Sequence, residues 1–136
     1  MVRTILLVED DPDLRDALAG FLRRRGYAVV AVGDGAEAEA ILSLGLPDLL
    51  VTDMMLPGRS GFQLAQQVRA NQDRRVPVVM VSGNDALLHR YYAEAVGVDV
   101  FLAKPFAAAA LVAAVEALCP RVAAPRPAAY TPAVAS

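Results

Sequence analysis

The chain has 136 residues, of which 56% are hydrophobic and 21% charged. That is one domain's worth, able to bury roughly two-thirds of its unfolded surface and apolar enough to expect elements covered on both faces. A formal net charge of −2 excludes a global nucleic-acid footprint, and the single cysteine, Cys119, excludes an intramolecular disulfide or a cysteine-built zinc site. No apolar run approaches the ~20 residues of a membrane span. The N-terminal run stops at Glu9 without a small-residue cleavage site, so a reducing cytoplasm is the expected setting.

In chain order, short β-branched runs alternate with helical patterns. Strands are predicted at Thr4–Val8, Ala28–Val32, Asp48–Thr52, Val76–Val81 and Val98–Leu102. Helices are predicted near 12–25, 35–44, 60–70, 85–96 and 106–118. Asp11 is placed to cap the first helix, Pro12 suits its first position, and Gly26 ends it. Arg23, Arg24 and Arg25 read as a solvated helix end that favours the helix dipole. Gly33-Asp34-Gly35 and Pro57-Gly58 are turn signals. Strict βα alternation predicts an α/β fold, a three-layer doubly wound (βα)5 parallel sheet with right-handed crossovers. The expected domain is 1–119. Residues 120–136 carry four of the nine prolines and no apolar period, and are expected to be a Pro/Ala-rich tail or linker.

Open parallel sheets bind ligands beyond the carboxyl ends of their strands. Here the first strand delivers Glu9 and Asp10, the third Asp53, the fourth Ser82 and Gly83, and the fifth Lys104 and Pro105. The second delivers nothing distinctive. Carboxylates converging on one edge repel one another, at about 4 kcal/mol per pair for ~4 Å and an effective dielectric near 20. Protonation is one remedy and a cation the other; Lys104 supplies one positive charge, and oxygen-only ligands point to Mg²⁺ for more. Taken singly, an aspartate here is a turn residue or cap, Ser82 a loop opener and Lys104 a solvated lysine. Their joint occurrence on one sheet edge is what singles out a site.

Four stretches carry a resemblance: Ile5-Leu-Leu-Val-Glu9-Asp10-Asp11-Pro12, Asp53-Met-Met-Leu-Pro57-Gly-Arg-Ser-Gly61, Val78-Val-Met-Val-Ser82-Gly83 and Phe101-Leu-Ala-Lys104-Pro105-Phe106. In this order and spacing the chain resembles, over about residues 3–119, the receiver domain of two-component response regulators. The resemblance implies the flavodoxin-like strand order 2-1-3-4-5 and a role for each matching position. Asp53 would be the phosphoacceptor. Asp10, Asp53 and the Met55 carbonyl would bind Mg²⁺, or Mn²⁺ in its place, with Glu9 acting through water. Ser82, Lys104 and the amides of Met55 and Gly83 would hold the phosphoryl oxygens. Ser82 and Phe101 would switch, remodelling the face of helix 4, strand 5 and helix 5, and the peptide bond before Pro105 would be cis.

The implied partner is a sensor histidine kinase or a phosphotransfer protein. A homodimer through the helix 4–strand 5–helix 5 face is a further implied partner, with no direct nucleic-acid binding and no membrane contact. The implied chemistry is limited to the domain's own phosphorylation and dephosphorylation. Met55 is apolar and can neither position nor activate water. Phe101, where many relatives carry tyrosine, has no hydroxyl for a polar gate. Leu87, Leu88, Tyr91 and Tyr92 on helix 4, with the alanines of helix 5, suggest an apolar docking surface, while His89 reads as a solvated side chain and Cys119 as an inert helix-end thiol. Three other functions compete. A receiver-like docking module needs no phosphate chemistry. A haloacid dehalogenase-type phosphatase wants a second aspartate where Met55 stands, and a flavodoxin wants a phosphate loop where Glu9-Asp10-Asp11 would repel one.

Overall fold

The computed structural model describes residues 2–83 and 86–121, and the expected tail lies outside these beyond Arg121. The elements in chain order are β1 (Thr4–Val8), α1 (Pro12–Arg24), β2 (Ala28–Val32), α2 (Gly35–Leu44), β3 (Leu49–Asp53), α3 (Gly61–Arg69), β4 (Val78–Ser82), α4 (Ala86–Val96), β5 (Val100–Ala103) and α5 (Ala108–Leu118). All strand pairs are parallel and the order is β2-β1-β3-β4-β5, as the resemblance implied.

Alternation along the central strands divides the core in two. Ile5 and Leu7 of β1 face one layer, with Leu18 and Leu22 of α1 and Leu111 and Val115 of α5. Leu6 and Val8 face the other, with Leu42 of α2, Leu64 and Val68 of α3 and Ala93 of α4. β1, β3 and β4 are buried on both faces, which is why their sequences run apolar without a polar phase. Each fully buried leucine contributes roughly 1.5–3 kcal/mol relative to an exposed one.

Helix starts follow their caps. Asp11 Oδ1 accepts from the amides of Asp13 and Leu14 at 3.0 and 3.2 Å. Asp34 accepts from Glu37 N at 2.8 Å, and Ser60 with Gln63 forms a reciprocal capping box.

The first two strands fall where the apolar pattern places them, whereas β3, β4 and β5 start one or two residues later. The cause is visible at two of those starts. The Asp48 carboxylate accepts from Thr4 N at 2.7 Å and the Asp99 carboxylate from Val78 N at 2.8 Å, while the amides of Asp48 and Asp99 donate back to the Thr4 and Val78 carbonyls, so a side-chain acceptor replaces a backbone one at each strand entrance.

Arg69, at the end of α3, spans several elements on the side away from the strands' carboxyl ends. It donates to the carbonyls of Val76 and Gly97 and pairs with Asp99 at 2.8 Å. Tyr27 closes the other layer, its hydroxyl donating to the Cys119 carbonyl at 2.7 Å. Cys119 is buried at the C-cap of α5, and burial pushes its thiol up, in keeping with an inert thiol. Arg23 and Arg25 correct the expectation of a merely solvated helix end: Arg23 donates to the Val29 carbonyl at 2.8 Å and Arg25 pairs with Glu116 at 3.5 Å.

Candidate functional site

Strand order reverses between β1 and β3, and the crevice opens beyond their carboxyl ends. Asp53 is the last residue of β3, Ser82 the last of β4, and Glu9 and Asp10 follow β1 directly. Glu9, Asp10 and Asp53 each offer a carboxylate oxygen within 4.8 Å of the others. A cavity of about 280 Å³ opens here, lined by Asp10, Asp53, Met55, Gly83 and Lys104.

The carboxylates are not equivalent. Asp10 is exposed, whereas Asp53 and Glu9 are buried. Asp53 Oδ2 accepts from Lys104 Nζ at 2.7 Å and Oδ1 accepts from Met55 N at 3.2 Å. The same ammonium lies 2.8 Å from Glu9 Oε1, and Glu9 Oε2 accepts from Asp11 N at 3.1 Å. Burial raises the Glu9 carboxyl above its ordinary value, against the opposing pull of Lys104. For Lys104 burial works downward, but the bonds to Asp53 and Glu9 outweigh it and hold the ammonium above its usual range.

Three carboxyl groups face one ammonium in the crevice, which makes it acidic. A donor set of oxygens alone, in such a crevice, fits a hard divalent cation such as Mg²⁺ or Mn²⁺.

The loop after Asp53 is shaped by close approach. A Cβ on Gly61 would lie 2.1 Å from the Asp53 carbonyl oxygen, and Gly61 N donates to Met54 O at 2.9 Å. Gly58 holds φ +83°, a backbone that favours glycine, and the loop returns to α2 through Gly35 N donating to Pro57 O at 2.9 Å. Gly83 differs: a Cβ there would meet Lys104 carbons at 3.6 Å, ordinary contact, so among the described residues no neighbour demands a glycine. The Lys104–Pro105 peptide bond is cis.

The structure therefore gathers Glu9, Asp10, Asp53, Met55, Gly83 and Lys104 in one crevice. Ser82 is fully buried beside it and does not figure among the described residues lining the cavity. Phe101 lies half-buried on β5, packed against the core layer of α2, α3 and α4.

Three contributors escaped the sequence. Arg15 donates to the Glu9 carbonyl at 3.0 Å and steadies the end of β1; its place one helical turn after the Asp11 cap was the available signal. His89 is not solvated as expected: it is half-buried and its Nδ1 is hydrogen bonded to Ser82 Oγ. Arg90 sets its guanidinium 4.8 Å from the centre of the Phe101 ring. No local pattern announces the last two, because both depend on how α4 lies over β4 and β5.

Known proteins give one consistent answer. The response regulator receiver domain family matches residues 5–116. The sensory transduction protein RegX3 of Mycolicibacterium smegmatis is 37% identical over 118 residues, covering 87% of this chain and 51% of that protein. The chain thus spans about half the length of the curated relatives it matches. A putative response regulator from Chloroflexus aurantiacus superimposes with a TM-score of 0.79 at 31% identity, covering 87% of this chain and 98% of that one. The chemotaxis response regulator CheY4 of Vibrio cholerae gives a TM-score of 0.78 at 26% identity, over 87% and 99% of the two chains. With its strand order and its acidic crevice, the chain belongs to the response regulator receiver domain family of two-component systems.

Proposed function

We propose that the chain accepts a phosphoryl group on Asp53 from a sensor histidine kinase, a phosphotransfer protein or a small acyl-phosphate donor. One observation carries this reading. The Asp53 carboxylate sits in the mouth of a polar crevice, held from one side by Lys104 Nζ and from the other by Met55 N, with Asp10 beside it.

In this reading an Asp53 oxygen attacks phosphorus, a P–O bond forms, and the P–N bond to the donor imidazole breaks with its electron pair leaving on nitrogen. Asp10, Asp53 and the Met55 carbonyl would hold Mg²⁺, with Glu9 acting through water, and the ion would supply positive charge to the phosphoryl oxygens. Lys104 supplies a second cation, and Ser82 and the amides of Met55 and Gly83 supply hydrogen bonds. A loose, charge-rich transition state is served mainly by such positioning and electrostatics. Gly83, whose missing Cβ no described neighbour requires, leaves its amide open to close approach by the phosphoryl group. The domain catalyses only its own phosphorylation and dephosphorylation.

The output face is α4, β5 and α5, switched by Ser82 and Phe101. Exposed Leu87, Leu88, Tyr91 and Tyr92 give it an apolar character that suits a protein partner, a second copy of the chain included. Among the described residues no helix is long and apolar enough to cross a membrane, in keeping with a cytoplasmic site of action. In this reading residues 1–119 form the receiver unit and 120–136 its tail or linker.

The test is incubation with acetyl phosphate and Mg²⁺ followed by intact-mass measurement. Wild type gains one phosphoryl group, and Asp53→Ala or EDTA abolishes the gain. An adduct that survives Asp53→Ala, or none in wild type, refutes the assignment.

A further inference from the structure

Adjacent residues of α4 hold the two side chains to which switching is assigned. His89 reaches Ser82 at the end of β4, and Arg90 reaches Phe101 on β5. Neighbours in a helix point about 100° apart, which lets one turn of α4 touch two strands at once.

Ser82 sits next to the acceptor in the sheet, since Asp53 is in register with Val81. Its hydroxyl nevertheless meets α4. His89 lines a second, largely apolar cavity of about 230 Å³ with Met54, Leu88 and Tyr92, on the α4 side of the sheet, which shares Met55 with the acceptor crevice. A hydroxyl has one proton to give, and a phosphoryl oxygen can only accept. A proton that Ser82 gives to imidazole is therefore withheld from a phosphoryl group.

We propose that His89 is a positioning residue: its Nδ1 accepts the Ser82 proton in the unphosphorylated chain and keeps that hydroxyl on α4, away from the acceptor. Engaging the phosphoryl group then requires Ser82 to let go of α4. The chemical event at Asp53 is thereby linked to the output helix through the Ser82–His89 hydrogen bond. The inference rests on the assignment of Asp53 as phosphoacceptor.

The test titrates wild type, His89→Leu and His89→Asn with beryllofluoride and Mg²⁺, a stable mimic of an aspartyl phosphate. Leucine removes the bond with little change in volume, and the mimic binds about 3- to 10-fold tighter, the worth of one net hydrogen bond. Asparagine, which restores a hydrogen-bonding group near the Nδ1 position, returns the affinity toward the wild-type value.

Nitrogen NMR of the His89 ring reports the bond directly. Saturating beryllofluoride in wild type and the Ser82→Ala substitution without it both move Nδ1 in the same direction. Unchanged or weaker binding in His89→Leu, or an Nδ1 resonance that neither perturbation moves, overturns the inference. A wild type that fails to respond to beryllofluoride at all overturns the phosphoacceptor assignment, and the role of His89 falls with it.

Discussion

Gly61 lies against the backbone of Asp53, so close that a Cβ would stand 2.1 Å from the Asp53 carbonyl oxygen and 3.0 Å from the Met54 Cα. The neighbours are backbone atoms at the end of a buried strand and cannot yield as a flexible side chain would. Gly61→Ala is expected to cost about 1–3 kcal/mol by overpacking, measured by urea unfolding. Because the displaced atoms belong to the acceptor's own peptide, phosphorylation by acetyl phosphate falls as well. A variant as stable and as readily phosphorylated as wild type would show that the loop relaxes freely.

Lys104 is shared between Asp53 and Glu9, and Glu9 is buried. Lys104→Met keeps most of the volume and removes the charge, leaving two carboxylates with no ammonium. Stability is expected to drop by on the order of 3 kcal/mol without divalent cation. Added Mg²⁺ should recover more stability in the variant than in wild type, since the cation then meets a more negative crevice. Unfolding curves with and without Mg²⁺ give both quantities.

Met55 lines the cavity and is 58% exposed, and its thioether can neither accept a water proton well nor fix a water for in-line attack. The lifetime of the Asp53 phosphoryl group should be unchanged in Met55→Leu. It should shorten in Met55→Asn or Met55→Glu, by up to roughly 10²-fold, the lower end of acid–base assistance. Loss of radiolabel from the phosphorylated protein, followed over time, measures it. Equal lifetimes across the series would remove the side chain from control of dephosphorylation.

Asp99 contributes stability that is lost in acid. Burial works to raise its carboxyl, but the Arg75 bond, the Val78 amide and Arg69 outweigh it and hold the group below its ordinary 3.8. A depressed carboxylate binds fewer protons folded than unfolded, so its contribution is present above about pH 4 and lost as pH falls through the folded value. Asp99→Asn is expected to lower stability at neutral pH and to flatten the decline on acidification. Urea midpoints from pH 7 down to pH 3 test both.

The site was largely legible and its surroundings were not, for a physical reason. Glu9 and Asp10, Asp53 and Lys104 stand where apolar runs end, and a parallel sheet brings such ends together whatever the details of packing. Asp11 was likewise readable as a cap, because capping is decided by a few neighbouring residues. His89 had no such local signature. Its bond to Ser82 is set by the tilt of α4 across β4, a tertiary quantity that a helical repeat does not encode. The strand starts slipped for a related reason, since an apolar run continues past the point where Asp48 and Asp99 put a side-chain acceptor in place of a backbone one.

The opposite ends of α4 are held by different kinds of bond. After Val96, Gly97 turns the chain at φ +80° and its carbonyl receives both Nε and Nη2 of Arg69, which is itself tied to Asp99 and to Val76. Toward the acceptor, the described side-chain contacts of the helix are those of His89 with Ser82, of Arg90 with the face of the Phe101 ring and of Tyr92 with the edge of Phe62. The described bonds of α4 thus fall into two groups, a guanidinium fan that belongs to the strand entrances and, nearer the acceptor, contacts with the two residues to which the proposed switch is assigned. The exposed apolar residues Leu87 and Leu88 adjoin the second group.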